Sequence, residues 1–198
     1  MRVIGLTGKA CAGKDQYAKA FSQYGVVVIN VDDLGHQALA QSIEQIETSF
    51  GSSVIQNGKI DRAALGSLVF SDSLKLKRLE EITHPKMVLA CQELIEEARR
   101  EGAQAVLLNA ALLSRMGLQE VCDSVVFIYA PVWLRYLRSR KRDGLSLKQF
   151  VLRNTAQKDI RPSCAKTVVL RNLFWKALIH RQVATYCDTM GLSISSAG

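Results

Sequence analysis

The sequence predicts an α/β fold, a doubly wound parallel sheet flanked by helices, from three observations. Short apolar runs recur at 2–6, 26–30, 105–113, 124–130 and 166–172. Segments of helical period separate them. The first run passes through a glycine-containing stretch into a helix and then a second apolar run, which completes a β-α-β unit within the first 30 residues.

Each element has its own justification. After the first strand, Tyr17, Ala20, Phe21 and Tyr24 recur at helical spacing and Gly25 is a stop. The run VVVIN at 26–30 is continuously apolar and bounded by Gly25 and the pair Asp32, Asp33, as a strand buried on both faces would be. A long helical region follows, which takes in 60–70. A new helix is expected at Pro85, because proline suits a first helical turn, and it runs to Gly102. Residues 105–113 and 124–130 read as two further parallel strands, 166–172 as a last short one, and 174–190 as a closing amphipathic helix. The tail at 193–198 reads as loose. The expectation is one domain over 1–198: a core, a helical insertion at about 34–101 and a basic, lid-like segment at about 133–158.

Composition narrows the function classes. A chain of 198 residues with 48% apolar content supports one sizeable core. Its formal charge of +8 points to an anionic partner: a nucleotide, a nucleic acid or a membrane surface. No run approaches a membrane span and no secretory leader is legible, so a soluble cytoplasmic protein without a membrane partner is expected. The cysteines, 11, 91, 122, 164 and 187, are odd in number and hold no C-x-x-C pair, which suggests neither a disulfide frame nor a zinc site. The basic stretch RYLRSRKRD carries Arg135, Arg138, Arg140, Lys141 and Arg142. No aromatic platform accompanies it, which argues against nucleic acid as the partner.

The chemistry concentrates at GKACAGKD, residues 8–15. Gly8, Gly13 and Lys14 satisfy the phosphate-loop spacing G-x-x-x-x-G-K-[ST], and Asp15 stands where a hydroxyl would sit on Mg²⁺. The pattern follows a strand and opens a helix, the arrangement in which backbone N–H groups and the helix dipole hold phosphate. Lys14 would then reach the β- and γ-phosphates of ATP, and Cys11, Ala12, Gly13, Asp15 and Gln16 would complete the ATP loop. The fold is therefore of the P-loop NTPase type. Cys11 lies near a helix N-terminus and Lys14, where a thiol pKa can fall; the plainer alternative is a small side chain in a glycine's place.

In order and spacing, GLTG (5–8), VINVDDLGH (28–36), KIDRAALGSLVF (59–70), ITHPKM (82–87), LLNAALLSRMG (107–117), RKRDGLS (140–146), RNTAQ (153–157) and VVLRN (168–172) resemble the dephospho-CoA kinases over nearly the whole chain. The resemblance implies transfer of phosphate from ATP, with Mg²⁺, to the ribose 3′-hydroxyl of dephospho-CoA, the last step of coenzyme A synthesis. It makes Asp32 the base or orienting group at that hydroxyl and places Arg62 and His84 in the acceptor pocket. It makes 133–158 a lid whose Arg140 and Arg142 compensate phosphoryl charge, with Arg135 and Arg138 at the surface. Asn172 matches an asparagine near the adenine site, and Gln157 follows the lid helix in a matching place.

Departures from the family pattern fall at the chemistry. Asp15 replaces the hydroxyl, Asn30 the first aspartate of D-x-D, and Asn109 the aspartate of V-x-D-x-P-L-L-F-E, in which Ala111, Ser114 and Arg115 also differ. Lys9 and Cys11 replace loop glycines, a source of strain if either takes positive φ. One reading is relocation: Asp15 supplies the metal with the charge that positions 30 and 109 have lost. The others are a non-catalytic nucleotide-binding or regulatory relative, and a kinase with another hydroxyl acceptor.

Overall fold

The computed structural model describes residues 1–162 and 164–192, so the expectation of a loose tail at 193–198 lies outside the described residues. Two compact units are present: residues 1–30 with 95–198, and residues 31–94.

The first unit is built on a five-stranded parallel sheet of β1 (Arg2–Thr7), β2 (Val27–Asn30), β5 (Ala105–Asn109), β6 (Ser124–Tyr129) and β7 (Thr167–Arg171), in the order β2-β5-β1-β6-β7. Burial follows position in the sheet. β5 is buried at every residue, and β1 and β6 at all but one, while the edge strands β2 and β7 keep exposed residues. Helices α1 (Lys14–Ser22) and α8 (Lys176–Met190) supply Tyr17, Phe21, Ile179, Val183 and Tyr186 to the main core. The Phe21 and Tyr186 rings meet edge to face, with centroids 5.4 Å apart. Burying each such aromatic contributes about 1.5–3 kcal/mol. This unit also holds α6 (Val132–Asp143) and α7 (Leu147–Ala156); a capping box between Ser146 and Gln149 starts α7.

Growth of the sheet reverses at β1: β2 and β5 lie to one side, β6 and β7 to the other. The loop that leaves the carboxyl end of β1 therefore opens at the switch point, where α/β sheets bind ligands.

The second unit contains α2 (Val31–Ala40), α3 (Ile43–Phe50), β3 (Ile55–Gln56), β4 (Lys59–Ile60) and α4 (Arg62–Phe70), and its chain runs on into α5 (Ser73–Arg100). Ile46, Val54, Leu65 and Val69 form its own apolar cluster. Two expectations are corrected here. Residues 55–60 are an antiparallel hairpin, turned by Asn57 and Gly58 at φ 51° and 70°, so the helix expected over 60–70 starts only at Arg62, capped by Asp61. Pro85 does not open a helix but lies inside the 28-residue α5. It removes one N–H from that helix and leaves the Glu81 carbonyl without its usual donor.

Candidate functional site

The phosphate loop runs from the end of β1 into α1, and packing explains both of its motif glycines. A Cβ at Gly8 would lie 2.6 Å from the Ile128 carbonyl oxygen in β6. A Cβ at Gly13 would overlap the Asn172 side-chain amide, and Gly13 has φ 93°. Gly13 also stands at the N-cap of α1 without a side chain to cap it, so no side chain competes with an anion for the first-turn N–H groups, of which that of Gln16 donates to Gly13 O at 3.2 Å. Lys14 opens the helix, half-buried. Cys11 adopts φ 60°, the strain anticipated for a residue in a glycine's place, whereas Lys9 does not. Cys11 is also buried.

The back of the loop is held by its carbonyl groups. Arg138 Nη1 donates to Ala12 O at 3.2 Å and, more weakly, to Cys11 O at 3.5 Å. Asn172, 2% exposed, donates to Ala12 O at 2.9 Å and accepts from Arg138 Nη2 at 3.0 Å. Gln157 Oε1 accepts the Ala10 N–H at 2.8 Å. Arg135 Nη2 donates to Asn154 at 2.6 Å, Nη1 reaches Ala10 O at 3.4 Å, and the guanidinium lies over the Phe150 ring. The expectation that Arg135 and Arg138 are surface residues is overturned: Arg135 is 4% exposed and Arg138 is half-buried. Burial pulls both arginine pKa values down from the ordinary value. These carbonyl contacts are what repay their desolvation. Asn172 is committed to Ala12, Arg138 and, at 3.4 Å, Gln16, which makes it a buttress of the loop. Sequence reasoning missed the two buried arginines; their i, i+3 spacing on α6 was the available signal.

On the other side of the loop, the three departures meet. Asn30 and Asn109 are register partners at the carboxyl ends of β2 and β5. Asn109 Nδ2 donates to Asn30 Oδ1 at 3.0 Å and to Asp15 Oδ1, in the first turn of α1, at 3.1 Å. Asn109 is 6% exposed, and its Oδ1 is buried with no hydrogen-bond partner among the described residues. Asp15 is exposed in the first turn of α1. A carboxylate at 109 instead of the amide would repel Asp15 by ~1–4 kcal/mol at such a separation. One carboxylate, one orphaned amide oxygen and an adjacent amide form an all-oxygen donor set suited to a hard divalent ion. Among the described residues there is no group of three or more His, Cys, Asp and Glu side chains that could hold a metal.

The arginines of the lid-like segment differ in their surroundings. Arg140 is exposed near the end of α6. Arg142 is bound by Asp143 at 2.7 and 3.0 Å, and that hydrogen bond raises its pKa, with a smaller contribution from Asp15. The same contact, with Arg153 assisting, holds the Asp143 carboxyl below the usual range. Arg115, where the family pattern has glutamate, forms a two-pronged ion pair with Asp159 at 2.6 and 2.7 Å and donates to Ala156 O at the end of α7. The remaining predicted residues belong to the unit 31–94. Asp32 is exposed in the first turn of α2, Arg62 is exposed at the start of α4, and His84 is half-buried inside α5.

No helix among the described residues is long and apolar enough to cross a membrane. Residues 2–173 match the dephospho-CoA kinase family model, an interval that contains the loop, its buttress and the lid-like segment. A dephospho-CoA kinase of Geobacter sulfurreducens is 34% identical over 174 residues, covering 86% of this chain and 88% of that protein. Among solved structures, the Thermus thermophilus protein TT1252 superposes with a TM-score of 0.77 at 30% identity, covering 97% of this chain and 98% of that one. A dephospho-CoA kinase from Campylobacter jejuni gives 0.69 at 25% identity, with coverage of 96% and 98%.

Proposed function

The chain belongs to the dephospho-CoA kinase family, and from that membership we infer that it transfers the γ-phosphoryl group of ATP to the ribose 3′-hydroxyl of dephospho-CoA, giving coenzyme A. The observation that carries this reading is the match over residues 2–173, which spans every segment that shapes the phosphate loop.

In the proposed mechanism the loop amides and Lys14 bind the β- and γ-phosphates, while Gly8, Cys11, Ala12, Gly13, Asp15 and Gln16 set the path of the backbone around them. Asp32, two residues beyond the end of β2, orients the attacking hydroxyl and accepts its proton. Arg140 and Arg142 close over the transferring group and neutralise its equatorial oxygens, with Arg62 and His84 assigned to the acceptor. Mg²⁺, where bound, would supply positive charge that offsets the charge of the phosphates. Asp15, in the first turn of α1, is the group suited to hold it.

Incubation with ATP, Mg²⁺ and dephospho-CoA, followed by mass spectrometry, tests the reading. A product heavier by one phosphoryl group at the ribose supports it. Absence of that product, with ATP consumed only on another alcohol or not at all, overturns it.

A further inference from the structure

In phosphate-loop enzymes, Mg²⁺ is commonly held by a hydroxyl on the loop and a carboxylate elsewhere in the site. In this chain the helix position carries the carboxylate, Asp15, and the strand end carries the amide, Asn109. One hydrogen bond links the two positions, and its direction runs from strand to helix: Asn109 Nδ2 donates and Asp15 Oδ1 accepts. A serine at 15 facing an aspartate at 109 would make the same link in the opposite direction with the same net charge.

The amide is held in this orientation. Its two protons are used by Asp15 and Asn30, and turning it over would set its oxygen against both of theirs. Asn109 is 6% exposed and stands at the end of a fully buried strand, so it offers a rigid donor to an exposed carboxylate. Asp15 and Asn109 are therefore complementary, and neither fits the other's ordinary partner.

We propose that Asp15 and Asn109 are a donor–acceptor inversion of the loop-hydroxyl and strand-carboxylate pair. Asp15 is the metal-facing carboxylate and Asn109 the positioning residue that aims it. Exchange of Asp15 alone uncouples ATP from the divalent ion, and exchange of both restores the coupling. The inference rests on the kinase reading only in taking ATP with Mg²⁺ as the ligand.

The test is calorimetric binding of ATP to the full chain in Mg²⁺ and in EDTA. The ratio of the two affinities cancels any general loosening of the loop. Wild type is expected to show a ratio of at least about tenfold, Asp15→Ser a ratio within about threefold of unity, and Asp15→Ser with Asn109→Asp a ratio within about threefold of wild type. Asn109→Leu, which keeps the carboxylate and loses the donor, is expected to lower the ratio while leaving ATP affinity in EDTA within about twofold. A wild-type ratio near unity, an unchanged ratio in Asp15→Ser, or a double variant no better than Asp15→Ser overturns the proposal. If the double variant fails to melt cooperatively, Asp15→Asn decides: a lost ratio supports the proposal and a retained one overturns it. Coenzyme A formation by wild type is read separately. Coupling without coenzyme A upholds the pair and overturns the acceptor; coenzyme A with EDTA-insensitive ATP binding does the reverse.

Discussion

The two sides of the phosphate loop are built in different ways. Behind it, Arg138, Asn172 and Gln157 bind its backbone through several hydrogen bonds, and the Ala12 carbonyl accepts from both Arg138 and Asn172. In front, Asp15 is tied through one amide, whose oxygen stays orphaned. Geometry is set redundantly and charge is set by a single contact. Departures from the family pattern accordingly concentrate where one paired exchange can compensate, and spare Gly13, Lys14 and Asn172.

The strongest way to break this contrast is Gly13→Ala. Overlap with Asn172 and a positive φ should cost about 3 kcal/mol of stability and remove measurable ATP binding; a denaturation curve and calorimetry check both. Asn172→Ala comes next. It leaves the Ala12 carbonyl and Arg138 short of a partner, which predicts a loss of about 2 kcal/mol and weaker ATP binding in Mg²⁺ and EDTA alike. An unchanged affinity ratio in Asn172→Ala beside a collapsed one in Asp15→Ser would sharpen the division between the two sides.

A third prediction concerns the helix that carries the loop. Burial pushes the Tyr17 hydroxyl from 10.0 up to about 12, partly opposed by Gln182 and Arg138. Because the folded value is the higher, its contribution is present below pH 10 and is lost as pH rises from 10 to about 12. Guanidinium unfolding across that range should show a fall of up to ~2 kcal/mol, with Tyr17 and the likewise buried Tyr186 ionising late in ultraviolet titration. The smallest effect belongs to Arg115→Ala. Its pair with Asp159 is partly exposed, so thermal unfolding should show a loss of stability no larger than a surface ion pair contributes, about 1 kcal/mol, and less at high salt.

Much of this arrangement was legible in the sequence because the signals are local. The continuous apolar runs at 105–109 and 124–129 mark strands buried on both faces, and the glycine spacing marks the loop. Asp15, Asn30 and Asn109 stood out as departures from the family pattern. Their hydrogen bonds did not, because they depend on the register of β2 against β5. The hairpin was missed although Asn57-Gly58 is a strong turn signal, since its strands are only two residues long. Pro85 was misplaced because proline's preference for a first turn yielded to the packing of a long helix. Arg135 and Arg138 looked solvated because a basic run usually is. What buries them is a set of backbone carbonyls more than 120 residues away, which no local window contains.

That distance also orders events in time. Ala12 and Asn172 are separated by 160 residues, and Ala10 and Gln157 by 147. A chain emerging from the ribosome completes the β1 segment, the loop and α1 first, yet the support behind the loop is complete only once β7 has left the exit tunnel and docked. The full set of loop contacts is thus assembled late, and a nascent chain stalled before Asn172 would hold most of its sheet without the side chain that joins Ala12 to Arg138.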